Sequence, residues 1–313
     1  MNSLKYAVEE LRENYDDELW WRNRLTDRVI APAHRRFGSR SGAVRIMGED
    51  WDNLFILDAC RADLFESVAD RGDFDTYRRV RSLGSMTEEW TEQNFQSREF
   101  GDTVYIACNP ITSRVAADAF HDLVEVWREA FDEERRTIMP GPIAEAAREA
   151  HERYPKKRLI VHFLQPHIPF VDFPELVFRD WWSPEGSFEE VDADPPRNVW
   201  GAMAMGLVGH DEVWNAYQEN LRLSLDEALG LAGDIPGKTV ISSDHGNLMG
   251  ERTWPLPLRL YGHPRDLRSR ELVTVPWAVL DDDRREVLDG GVESSTTAEE
   301  NEITDRLQAL GYY

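Results

Sequence analysis

The chain has 313 residues, 41% of them hydrophobic, enough to fill a sizeable core in one large or two modest domains. Acidic residues outnumber basic ones 59 to 36, for a formal net charge of -23, and the only lysines are Lys5, Lys156, Lys157 and Lys238. That balance repels nucleic-acid backbones and anionic membranes. Cys60 and Cys108 cannot build a disulfide framework and read as small buried hydrophobes. No apolar run reaches the roughly 18 residues of a membrane-spanning helix. The N-terminus lacks a basic region followed by an apolar core, so the cytoplasm is the expected location.

In chain order, Leu4, Val8, Leu11, Tyr15 and Leu19 repeat at helical spacing, with Trp20 and Trp21 extending the apolar face of a helix that ends near the Arg-rich segment 34–45. Its polar face carries Glu9, Glu10, Glu13, Asp16 and Asp17, so it is expected to pack on the core, or on a second copy in a homo-oligomer, rather than on a membrane. Gly38 to Gly42 reads as a linker, which divides the chain into an N-terminal helix and linker, 1–44, and a main domain, 45–313.

Asn53-Leu54-Phe55-Ile56-Leu57 is a near-continuous apolar run, as expected of a strand covered on both faces, and it ends at Asp58 before a helix begins. Taken alone, Asp58 is as good a helix cap as a ligand. Ser82 to Trp90 contains a Gly turn with hydroxyls at Ser85 and Thr87 leading into a helix, where a nucleophile would meet the N-terminal N–H groups and where an N-cap is equally at home. Val104 to Ala107 reads as a strand, 113–131 as an amphipathic helix, and 142–154 as a helix opened by proline. Strand 159–164 carries His162, which reads as a core imidazole with a partner, and delivers His167 to the rim between Pro166 and Pro169.

Segment 171–200 is irregular, rich in aromatics (Phe173, Phe178, Trp181, Trp182, Phe188) and prolines, and reads as a lid-like insertion or an interface arm. A helix over 210–231 then feeds strand Thr239-Val240-Ile241, followed by Ser242-Ser243-Asp244-His245-Gly246-Asn247. This places Asp244 and His245 at the rim of a sheet, where ligands of open α/β folds bind. An adjacent carboxylate and imidazole can clamp a divalent cation, although such pairs also serve in turns and caps. His263 precedes a last strand, 273–280, and a short helix closes the chain.

Several ordered motifs together resemble the alkaline phosphatase superfamily, and the sulfatase-like hydrolases within it, over roughly residues 50 to 313. Asp58-Ala59-Cys60-Arg61-Ala62-Asp63 is similar to the first motif, Tyr217 to Asp226 to a Y-x-x-N-x-x-x-x-x-D helix, and Ser243-Asp244-His245-Gly246 with Gly250-Glu251 to the metal motif. Arg306-Leu307 to Leu310-Gly311-Tyr312 is similar to a frequent ending. The resemblance implies a three-layer α/β/α fold around a mixed, mostly parallel sheet. It implies a divalent cation (Mn, Zn, Mg or Ca) on Asp58, Thr87, Asp244 and His245. Thr87, with Ser85 as the rival, would be the nucleophile. Arg61 and His162 would hold the transferred group, and His167 and His263 that group or a second metal, His167 also taking part in catalysis.

The sequence also departs from the true sulfatases. No C/S-x-P-x-R motif follows the first strand, and Ala59 stands where many of them have a second aspartate. Both departures move the expectation to phosphorus esters: a metal-dependent phosphoester hydrolase or transferase acting on a small-molecule, glycan-linked or lipid-linked anionic ester. The alternatives are a sulfate ester hydrolase and a catalytically silent member that binds an anionic glycan or a protein. The carboxylate-rich, lysine-poor surface resembles that of proteins from extreme halophiles. Self-repulsion should ease as salt screens it, so the melting temperature is expected to climb between low and molar KCl. A flat or falling curve would remove the halophile reading.

Overall fold

The computed structural model describes residues 10, 12, 14–178, 196, 198–292 and 299–310. The expected helical positions Leu4, Val8 and Leu11, the aromatics Trp181, Trp182 and Phe188, and the ending Gly311-Tyr312-Tyr313 lie outside them. The strands in chain order are β1 (Asn53–Leu57), β2 (Thr76–Arg81), β3 (Phe100–Ala107), β4 (Phe120–Glu125), the short pair β5 (Phe131–Asp132) and β6 (Thr137–Ile138), β7 (Arg158–Phe163), β8 (Thr239–Ser242), the hairpin β9 (Leu248–Arg252) and β10 (Arg259–Gly262), and β11 (Thr274–Leu280). Seven of them form one sheet in the order β2-β11-β8-β1-β7-β3-β4. β1 runs parallel to β7 and β8, and β3 parallel to β4 and β7, while β11 is antiparallel to both β8 and β2.

The reason β1 sits at the centre is legible in its composition: all of its residues are buried, as a strand with both faces covered requires. The helices are α1 (Glu18–Leu25), α2 (Ala31–Phe37), α3 (Ala62–Val68), α4 (Thr87–Phe95), α5 (Ile111–Ala116), α6 (Pro140–Arg153), α7 (Val199–Ala204), α8 (His210–Asp234), α9 (Arg270–Val273) and α10 (Glu300–Ala309). α6 and α8 pack on β7, β3 and β1. Phe95 of α4 stacks edge-on with Tyr105 and Phe120. Full burial of one such Phe contributes about 1.5–3 kcal/mol. The α/β class and the mostly parallel sheet are as expected.

Two local expectations are overturned and one strand escaped the sequence reading. The helix expected over 113–131 is instead α5, then β4, then a 3-10 turn, Val126–Arg128. Its apolar spacing fits a helix, but Phe120, Leu123 and Val124 also suit an edge strand, and pairing with β3 decides the matter. β2 was hidden by its arginines, which are used: Arg78 lies over the Trp277 ring and Arg79 binds Glu66. The second overturned expectation concerns the N-terminus. Asp17 accepts from the N–H groups of Leu19 and Trp20 and starts a helix at Glu18, so the helix through Tyr15 and Leu19 is broken there.

A π-helical turn, Thr26–Ile30, joins α1 to α2. Ile30 and Ala31 pack with Leu248, Leu260, Leu267, Leu272 and Val273 into a second cluster beside the β9–β10 hairpin. His34 Nδ1 accepts the Arg268 N–H at 2.9 Å. Among the described residues no helix is long and apolar enough to cross a membrane.

Candidate active site

At the C-terminal rim of the sheet Asp58 follows β1, Asp244 and His245 lie just beyond β8, His167 is in the loop after β7, His263 follows β10, and Thr87 opens α4. Asp58, Thr87, His167, Asp244 and His245 are fully buried, and His263 is partly exposed. Thr87 Oγ1 lies 3.3 Å from His245 Nε2 and 3.5 Å from Asp58 Oδ1. His245 Nε2 is 3.5 Å from Asp58 Oδ1 and 3.4 Å from Asp244 Oδ2.

The two oxygens of Asp244 are treated differently. Oδ1 accepts the N–H groups of Ala59 at 3.0 Å and His245 at 2.8 Å, whereas Oδ2 is buried with no hydrogen-bond partner. An unsatisfied buried acceptor costs about 1–3 kcal/mol, more when charged. Burial accordingly pushes the Asp244 carboxyl up. His245 Nδ1 lies 2.8 Å from the Gly246 carbonyl, which makes that nitrogen the donor and leaves Nε2 a lone pair. Burial pushes His245 down to about 4, so the ring is neutral near pH 7. Ligand atoms of Asp58, Asp244 and His245 all lie within 4.8 Å of one another. Two carboxylates, a neutral imidazole and a hydroxyl fit a divalent cation, and the orphaned Asp244 oxygen is the atom a cation would satisfy.

The rim is held by residues outside the Asp58, Thr87, Asp244 and His245 cluster. Ala59 adopts a left-handed φ of 62°, a conformation that costs a non-glycine residue about 1–3 kcal/mol. Asp244 binds its N–H and the Tyr217 hydroxyl donates to its carbonyl. Asn220 donates to the carbonyls of His167 and Pro169 at 3.1 and 3.0 Å and accepts from Val171 N–H, which fixes the loop carrying His167. Thus Tyr217 and Asn220 of the expected helical motif are structural pins, while Asp226 is exposed. A side chain at Gly246 would meet the Glu271 carbonyl at 2.1 Å, so only glycine permits that approach.

His167 Nε2 and His263 Nε2 are 3.2 Å apart, and the His263 ring is 4.8 Å from that of His245, so both imidazoles adjoin the cluster. His162 Nδ1 pairs with the Tyr105 hydroxyl at 2.7 Å, the partner expected for a core imidazole. Its Nε2 faces Asp58 Oδ2 at 3.9 Å. The Arg61 guanidinium binds both oxygens of Asp63, the Glu251 carboxylate and the Asn247 carbonyl, an ion-pair set rather than an open anion cradle.

The two candidate hydroxyls separate clearly. Ser85 Oγ is engaged by Glu89 at 3.0 Å and the Pro264 carbonyl at 2.9 Å. The residue capping α4 is Met86, with no side-chain bond to the first turn, so Thr87 is not the cap. Glu89, which sequence reasoning missed, is buried and held by Arg268 and by Arg40 at 2.7 Å. Burial raises its carboxyl, but the bonds from Arg268, Ser85 N–H and Arg40 outweigh that and set it at about 2. His34, Arg268 and Glu89 thereby join α2 to the Ser85–Thr87 turn. No spacing pattern announces such a network.

No protein-family profile matches the sequence, and no curated protein matches it. Among solved structures the chain is similar to the integral membrane lipooligosaccharide phosphoethanolamine transferase A from Neisseria meningitidis, at 10% identity over 89% of this chain and 58% of that one, with a TM-score of 0.45. It is also similar to the C-terminal periplasmic domain of EptC from Escherichia coli, at 15% identity over 76% of this chain and 74% of that one, TM-score 0.46. That E. coli domain has also been solved in complex with Zn. A 2-O GAG sulfatase matches at 12% identity over 73% of this chain and 63% of that one, TM-score 0.41. The chain spans 58% of the length of the Neisseria protein. At these values the likeness is one of general shape.

Proposed function

We propose that the protein is a metal-dependent phosphoester hydrolase or phospho-group transferase that works through a covalent intermediate on Thr87. The observation that carries this reading is the placement of Thr87 Oγ1 at the start of α4, 3.3–3.5 Å from His245 and Asp58, while the rival Ser85 hydroxyl is engaged elsewhere. Asp58, Asp244 and His245 would hold the cation. When bound, it would lower the pKa of the Thr87 hydroxyl and neutralise charge on a tetrahedral anion.

Thr87 Oγ then attacks phosphorus, the ester's phosphorus–oxygen bond breaks, and the alcohol leaves with a proton. Water, or a second alcohol in a transferase, next displaces Thr87 and restores its hydroxyl. The α4 N-terminus faces the charge that develops on the transferred group. His167 and His263 border the same space and would position the group's oxygens. The substrate would be a small-molecule, glycan-linked or lipid-linked anionic ester.

The test is a panel of phosphomonoester, phosphodiester, phosphonate and sulfate ester presented to metal-loaded protein. Turnover of at least one phosphorus ester, and none of the sulfate, is expected. Sulfate turnover alone would move the assignment to a sulfate ester hydrolase. Silence on the whole panel with metal bound would favour the binding-protein reading.

A further inference from the structure

We propose a second cation site formed by Cys108, His162 and Asp58, sharing Asp58 with the Thr87 cluster and selecting a thiophilic divalent ion such as Zn2+. The sheet order β1-β7-β3 makes the three positions neighbours: Asp58 directly follows β1, His162 is in the last turn of pleat of β7, and Cys108 directly follows β3. All three are buried, and one ligand atom from each lies within 4.8 Å of the other two.

The two oxygens of Asp58 point to different sets. Oδ1 is the atom near Thr87 and His245, at 3.5 Å from each, and Oδ2 is the atom 3.9 Å from His162 Nε2. A nitrogen and an oxygen bound to one tetrahedral zinc stand roughly 3.3 Å apart, so a modest inward shift would close this pair on an ion. The pair is too far apart for a hydrogen bond.

The independent observation is His162 Nε2 itself. It is buried with no hydrogen-bond partner, while Tyr105 occupies the opposite ring nitrogen at 2.7 Å and fixes the ring with Nε2 turned toward Asp58. A ligating histidine is held in this way, by a partner on the nitrogen that does not bind metal. A role for Cys108 as a mere apolar filler would leave that nitrogen unexplained. The donor set of sulfur, nitrogen and oxygen favours zinc, cobalt or iron over magnesium and calcium, and the Thr87 cluster has no sulfur. The site shares a ligand with the proposed active site, but its existence does not depend on that site's turnover.

The experiment uses full-length protein stripped of metal by chelation and reloaded with Co2+, with metal equivalents measured by elemental analysis and the near-ultraviolet thiolate-to-cobalt absorption recorded. Two equivalents and a thiolate band are expected. Cys108→Ala should lose one equivalent and the band, whereas Cys60→Ala, which removes the other cysteine, should keep both. Asp244→Asn should lose an equivalent and keep the band. Absence of the band in loaded wild type overturns the proposal without recourse to any variant, as does a Cys108→Ala protein that retains both equivalents. A band without turnover on any ester would preserve this site and remove the proposed activity; turnover without the band would do the reverse.

Discussion

Thr87→Ala is expected to lose turnover by several orders of magnitude while its metal content stays at the wild-type level. Removing the hydroxyl abolishes the covalent route, yet leaves Asp58, Asp244 and His245 in place. A capping role would instead predict a stability loss of about 0.5–2 kcal/mol with little change in chemistry. The geometry already argues against that, because Met86 is the cap residue of α4 and Thr87 Oγ1 faces Asp58 and His245. Ser85→Ala is the control. It gives up the one hydrogen bond the hydroxyl donates, shared between the Glu89 carboxylate and the Pro264 carbonyl, for about 0.5–1.5 kcal/mol, and should keep turnover within a small factor. Turnover, metal content and melting temperature of the two variants decide the matter, and a dead Ser85→Ala beside an active Thr87→Ala would transfer the nucleophile to Ser85.

Asp244→Asn is expected to lower metal content and activity together. Asparagine keeps an oxygen to accept from Ala59 and His245, so the local backbone can survive, but the ligand set loses a negative charge. The sign of the stability change then depends on metal. Burial raises the Asp244 carboxyl, so its ionised form destabilises the metal-free fold at neutral pH, and the metal-free variant should melt no lower than metal-free wild type. With cation in excess wild type gains the free energy of binding and the order reverses. Full metal stoichiometry in the variant would show that Asp244 is not a ligand.

The residues nearest the proposed chemistry were the most legible in the sequence. Asp58 follows the near-continuous apolar strand Asn53–Leu57, Asp244 and His245 follow the β-branched strand Thr239–Ser242, both strands are buried throughout, and that junction of strand and rim is visible without a structure. β4 was not legible because Phe120, Leu123 and Val124 satisfy helical and strand spacing alike, and only the neighbour β3 chooses between them. Cys108 looked like a small hydrophobe because its surroundings in sequence are apolar; what gives it another meaning is His162, on the adjacent strand. Glu89 looked like a first-turn carboxylate, and its partners Arg40 and Arg268 come from 49 and 179 residues away.

The bonds that tie the rim together join residues 185 apart at Ala59–Asp244, 158 apart at Thr87–His245 and 96 apart at His167–His263. Closing loops of such length costs entropy that is returned only once the intervening strands have paired. The candidate site therefore assembles with the sheet as a whole, and no shorter piece of the chain brings its residues together. In a screen of random substitutions, a lost activity would report on topology as readily as on chemistry, so turnover assigns a residue to the site only when stability has been measured beside it.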